Sequence, residues 1–107
     1  MSQFDDFLAE VKTGIAQIAT LEARDFVTQA TGDGQQLVDA LEPDLRLWTQ
    51  QLQAGRLSKS DFEFLVKGKS NVAQMKALTH AGVTAIRIDQ IRAALIKLVI
   101  AAATKMV

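Results

Sequence analysis

The sequence contains no cysteine and no tyrosine, and it has one histidine and one proline among its 107 residues. The absence of cysteine excludes disulfide bonds, thiolate metal sites and cysteine nucleophiles. With one histidine and no tyrosine, few side chains remain that can transfer protons near neutral pH. We therefore expect a protein that is not an enzyme and that has no catalytic residues, no metal ligands and no cofactor.

A surplus of charge of either sign is also missing, because twelve basic and twelve acidic residues cancel. The chain therefore has no overall field that would attract nucleic acid or an anionic membrane. Its most apolar stretch, residues 93–103, contains Lys97 and is shorter than the roughly 20 residues that a membrane-spanning helix needs. The N-terminus lacks the basic and apolar regions of a signal peptide. These features predict a cytoplasmic protein with no membrane span.

The sequence is rich in apolar residues, which make up 49% of the chain and can support a hydrophobic core. They recur at helical spacing, and no segment alternates in the manner of a strand. A chain of this length is typical of one domain. We predict a single all-α domain over residues 1–107.

The first two helices are predicted on either side of a glycine-containing turn. The first runs from residue 3 to about residue 29, and residues 31–34 are typical of a helix end followed by a new helix start. The second carries leucines and Trp48 in steps of four and three. Pro43 lies inside this pattern on the opposite face, which predicts a helix kinked near Pro43, with a short break at Glu42 as the alternative.

The third helix is predicted to begin after Gly55 and to continue to about residue 78. Ser58 is a suitable N-cap, and Asp61 stands three residues later in the position of a capping-box acid. Gly68 is the weak point, because glycine inside a helix costs about 1 kcal/mol relative to alanine. It marks either a kink or a close approach of another helix.

The fourth helix is predicted from Thr84, its N-cap, to the end of the chain. His80 belongs to the end of the preceding helix, and Gly82 is the left-handed cap between the two. Because all three turns are short, neighbouring helices should be antiparallel. The predicted architecture is an antiparallel four-helix bundle.

The fourth helix has two apolar stripes, which is more than one helix face of a bundle requires. The second stripe includes Ile96, Ile100, Ala103 and Val107. If this helix is peripheral, these residues form an interface, and if it is central they belong to the core. Our leading hypothesis is an interaction module that self-associates through this stripe, as a homodimer or with a helical protein partner.

Residues 75–91 resemble the DNA-binding helix-turn-helix motif. Gly82 stands in the turn, Ile88 takes an apolar position of the second helix, and Arg87 and Gln90 are placed to face bases or phosphates. The chain departs from the motif at Leu78, where a small residue is expected. The resemblance implies DNA binding, which is the alternative function.

A second alternative is the binding of a small apolar ligand between helices. Met75 and Met106 are the candidate lining residues, because methionine adapts its shape to irregular spaces. The same methionines would also suit a core.

Overall fold

The computed structural model describes residues 3–71 and 73–106. Within these residues the chain forms five α-helices and one 3₁₀ turn, and it contains no strand. The elements are α1 (Gln3–Glu22), the 3₁₀ turn (Arg24–Phe26), α2 (Val27–Gln53), α3 (Lys59–Ser70), α4 (Lys76–His80) and α5 (Ala85–Thr104). The all-α prediction is confirmed, whereas the predicted boundaries of the first three helices need correction.

The first correction concerns residues 31–34, which lie inside α2 rather than in a turn. The chain instead leaves the helical conformation at Ala23 and Phe26, where φ is −138° and −136°. Glycine disfavours a helix by about 1 kcal/mol, but Gly34 is buried against Ile15 and Leu95. Burial of this surface outweighs the weak local preference that predicted a turn.

The second correction concerns the predicted third helix, which ends at Ser70 and does not continue to residue 78. It runs through Gly68 without a break, and no heavy atom lies within 4 Å of where a Cβ at Gly68 would stand. Gly68 is therefore not a point of close helix approach. A separate helix, α4, begins at Lys76 after a segment that is not helical at residues 73–75.

The start of α4 is capped by the side chain of Asp33, which comes from α2. Its Oδ1 accepts a hydrogen bond from the Ala77 N–H at 3.1 Å, and its Oδ2 accepts one from the Leu78 N–H at 2.8 Å. Asp33 is buried, with 3% of its surface exposed. The first N–H groups of a helix have no hydrogen-bond acceptor within that helix. The Asp33 carboxylate supplies the acceptor for two of them, which explains why a new helix starts there.

The second predicted helix corresponds to α2, which passes through Pro43 without the break that was the alternative at Glu42. Pro43 is exposed, so its ring and its missing N–H lie on the solvent side. A bend at this residue stays a prediction.

The two helix starts predicted at Ser58 and Thr84 are present, and both side chains act as the predicted N-caps. Ser58 Oγ accepts from the Asp61 N–H at 3.0 Å, and Thr84 Oγ1 accepts from the Arg87 N–H at 3.3 Å. The glycines of the turns that precede these helices, Gly55 and Gly82, have φ of +74° and +87°. This left-handed conformation strains any other L-residue.

α1 lies antiparallel to α2. At one end of the pair, the Nε2 of Gln53 donates to Oε1 of Gln3, and towards the other end Gly34 lies against Ile15. A Cβ at Gly34 would approach the Cγ2 of Ile15 to 2.8 Å, and Ile15 is fully buried. The absence of a side chain at Gly34 thus sets the distance between these two helices.

α1 is also antiparallel to α5, and α5 packs against α2, α3 and α4 as well. Glu10 pairs with Lys105 near one end, and the carbonyl of Glu22 accepts from Arg87 at the other. α5 is therefore the central helix of the fold. The largest fully buried side chains include Phe7, Val11, Ile15, Val38, Leu45, Phe62, Val66, Leu78, Ile91, Leu95 and Val99.

The two glycines of α2 provide a matched test of this packing. Gly32→Ala, which meets nothing within 4 Å, should raise the free energy of unfolding by about 0.5–1 kcal/mol through helix propensity. Gly34→Ala has the same propensity gain but forces Ile15 to move, and overpacking costs about 1–3 kcal/mol. Urea denaturation should therefore show Gly34→Ala to be the less stable of the two. Equal stabilisation by both variants would contradict the packing described here.

The Asp33 cap gives a second test. Asp33→Ala leaves two N–H groups without their acceptor and should lower the free energy of unfolding by about 1–3 kcal/mol. Asp39→Ala, an exposed acid on the same helix, should change it by less than about 0.5 kcal/mol. Amide hydrogen exchange should be faster at Leu78 in the Asp33 variant. Unchanged exchange at Leu78 would show that the cap does not hold α4.

Candidate functional site

The second stripe of the predicted fourth helix is placed mainly in the core of the single chain. Ile96 is 6% exposed and Ala103 is fully buried, while Ile100 is half-buried. Val107 lies outside the described residues. Because α5 is central, packing within one chain covers Ile96 and Ala103, which is what the core alternative expects for these two residues. Ile96 and Ala103 therefore do not present a free surface to a partner.

The segment that resembles a helix-turn-helix forms α4, a tight turn and the start of α5. Arg87 does not extend into solvent: its Nη2 donates to the Glu22 carbonyl at 3.4 Å, and its guanidinium carbon lies 5.9 Å from the ring centre of Phe26. Gln90 is exposed, and so is the acidic Asp89 beside it. Phosphate contacts require available cations, so this arrangement does not favour DNA binding, which stays an untested alternative.

Among the described residues, five large apolar side chains are exposed, and three of them lie on helix ends that come together. The exposed residues of this kind are Leu21 (77%), Val27 (36%), Leu47 (51%), Phe64 (76%) and Ile86 (75%). Leu21, Val27 and Ile86 lie at the end of α1, the start of α2 and the start of α5. Their sequence neighbours are Glu22, Phe26 and Arg87, and Arg87 contacts both of the others. We call these three residues the end patch.

The solvent side of α1 adjoins the end patch and carries small side chains. Ala9, Thr13, Ala16 and Thr20 are all exposed, at spacings of four, three and four residues. The hydroxyls of Thr13 and Thr20 donate to the carbonyls of Ala9 and Ala16. These hydroxyls are therefore satisfied within the helix. We call these four residues the outer face of α1; the exposed Lys12 lies beside them, one helical turn from Ala9 and from Ala16.

A cleft of about 680 Å³ lies where the segment after α3, α4 and α5 meet. Its lining includes the polar side chains of Asn71, Gln74, Lys76, His80 and Arg92 and the apolar side chains of Met75 and Ile88. Arg92 donates from Nη1 to Asp89 at 2.7 Å and from Nη2 to the Ala73 carbonyl at 3.0 Å. Its Nε is buried and has no hydrogen-bond partner among the described residues.

The two methionines predicted to line a ligand site are not brought together. Met75 lines the cleft just described, whereas Met106 lines a separate depression between the start of α1 and the end of α5. His80 is exposed in the last turn of α4, as expected for a residue at a helix end. The described residues contain no cluster of three or more His, Asp or Glu side chains that could hold a metal ion.

Neither the end patch nor the cleft was predicted from the sequence. Leu21 and Ile86 lie away from the apolar stripes of their helices. A large apolar residue outside such a stripe is the sequence feature that could have indicated the end patch. The cleft had no such signal, because the break after Ser70 that creates it was not predicted. Over the residues that the structure describes, no helix has the length and apolar character to cross a membrane.

Comparison of the chain with protein-family models, with curated proteins and with solved structures gives no match.

The placement of Ile96 can be tested directly. Ile96→Ala removes buried apolar volume from the core and should lower the free energy of unfolding by about 2–4 kcal/mol. Lys97→Ala, at the adjacent exposed position, should change it by less than about 0.5 kcal/mol. Chemical denaturation followed by circular dichroism measures both. If Ile96→Ala kept wild-type stability, Ile96 would not be a core residue.

Proposed function

We propose that the chain is a non-enzymatic helical interaction module that self-associates as a homodimer through the end patch and the adjoining outer face of α1. The observation that carries this proposal is the exposure of Leu21 and Ile86, at 77% and 75%, together with the exposed small side chains of α1. The module is a single cytoplasmic domain in which α1, α2, α3 and α5 form an antiparallel four-helix bundle and α4 is an additional short helix.

The hydrophobic effect supplies the driving force. Full burial of a leucine or isoleucine side chain is worth about 1.5–3 kcal/mol relative to leaving it exposed. Each copy of the chain contributes Leu21 and Ile86, with Val27 at their side. Single exposed apolar residues are common on protein surfaces, but a group of them is typical of an interaction site.

The charges around the end patch support a second copy of the same chain as the partner. Glu22, Arg24 and Asp25 are exposed beside Leu21, and they carry both signs. A two-fold contact places the same surface on both subunits, so one acid of each copy can face the partner copy's arginine. A rim of one sign would instead oppose self-association.

The small side chains on the outer face of α1 support close packing of a second helix. Ala9, Thr13, Ala16 and Thr20 follow spacings of four, three and four residues, which is the pattern of a coiled-coil seam. In this proposal the C-terminal helix takes part through Ile86 in its first turn, rather than through Ile96 and Ala103.

The oligomeric state tests the proposal. The wild-type chain should scatter light as a dimer at micromolar concentrations, and Leu21→Lys combined with Ile86→Lys should scatter as a folded monomer. Leu47→Lys combined with Phe64→Lys is the matched control, since these residues are similarly exposed but lie outside the end patch. Circular dichroism verifies that each variant is folded.

Three results would contradict the proposal: a monomeric wild type at all concentrations, a dimer that survives both lysines, or equal dissociation by the control pair. The last result would show that any added charge weakens the dimer. Dissociation by the control pair alone would move the interface to α2 or α3.

A further inference from the structure

The cleft between α3, α4 and α5 contains the positively charged side chains of Lys76 and Arg92. Lys76, His80 and Arg92 lie on its wall, and none of the described lining residues is an aspartate or glutamate. Lys76 makes no ion pair with a residue that the structure describes. In a chain with equal numbers of acids and bases, such a local surplus of cationic groups favours an anionic ligand.

Arg92 is the most firmly held of these groups. Its side chain is 17% exposed, and Asp89 and the Ala73 carbonyl hold the two terminal nitrogens. The Asp89 side chain is 71% exposed, so water screens the charge with which it opposes the guanidinium. The buried Nε lacks a hydrogen-bond acceptor, and an unsatisfied buried donor is costly. Arg92 is thus a cation held in a fixed position at the cleft wall.

The rest of the lining suits the carbon part of an organic ligand. Met75 and Ile88 provide apolar surface, and Asn71 and Gln74 supply amide groups that can donate or accept hydrogen bonds. A volume of about 680 Å³ falls within the range typical of small-molecule sites, and such sites combine apolar walls with a few polar groups.

We propose that this cleft binds a small organic anion whose carboxylate or phosphate group lies beside Lys76 and Arg92 and whose carbon part rests on Met75 and Ile88. The site does not depend on self-association, because the residues that line the cleft do not include Leu21, Val27 or Ile86. The anionic group selects the ligand, since guanidinium and ammonium groups bind carboxylates and phosphates by charge-assisted hydrogen bonds.

The proposal can be tested by titrating ¹⁵N-labelled protein with hexanoate at constant ionic strength. Hexanoate should shift the backbone amide signals of Ala73, Thr79 and Arg92 along a saturable curve. The neutral hexan-1-ol should cause no saturable shift at the same concentrations. Inorganic phosphate serves as a third probe: binding as tight as that of hexanoate would assign the affinity to the anionic group alone.

Charge variants complete the experiment. Lys76→Gln should raise the apparent Kd for hexanoate at least threefold, whereas Lys97→Gln, which removes an exposed lysine of α5 outside the cleft, should leave it unchanged. Lys76 is exposed, so its replacement should not disturb folding, and circular dichroism would verify this. The proposal is overturned if hexan-1-ol binds equally well, if neither hexanoate nor phosphate shifts the cleft amides, or if both lysine variants weaken binding to the same extent.

Discussion

The carboxylate of Asp33 is the contact on which the second half of the fold depends. It lies buried on α2 and accepts hydrogen bonds from the N–H groups of Ala77 and Leu78, more than 40 residues away in the chain. These bonds give α4 a fixed starting point, and the turn at Gly82 then directs α5 back through the molecule. Because a buried carboxylate without partners is costly, Asp33 and α4 stabilise each other.

The position of α5 decides which apolar residues are available at the surface. This helix packs against every other α-helix of the described chain, so Ile96 and Ala103 become core residues, while Ile100 is half-buried. Ile86, in the first turn of α5, stays exposed, and this turn lies beside the end of α1. The same break that separates α3 from α4 opens the cleft around Arg92. The two candidate sites are therefore consequences of one arrangement, although they favour different partners.

Much of the helical content could be predicted from the sequence, because it depends on neighbours three or four residues apart. The spacing of the leucines around Trp48 correctly indicated a helix that passes through Pro43. The boundaries at residues 31–34 and after Ser70 could not be predicted, since local glycine and cap preferences amount to about 1 kcal/mol. Packing of Gly34 against Ile15 and capping by Asp33 outweigh such preferences. The candidate sites lie at the observed helix boundaries. Because those boundaries were not predicted, the sites were not predicted either.

The sequence by itself determined that the chain is all-α, that its described part has no helix suited to crossing a membrane, and that helices start after Ser58 and Thr84. These properties arise from composition and from hydrogen bonds between close neighbours. Only the tertiary structure decided that Asp33 caps a distant helix, that Ile96 is buried, and that Leu21 and Ile86 are exposed at the same end. The physical reason is that burial depends on contacts between residues far apart in the chain, and helical spacing contains no information about which helices meet.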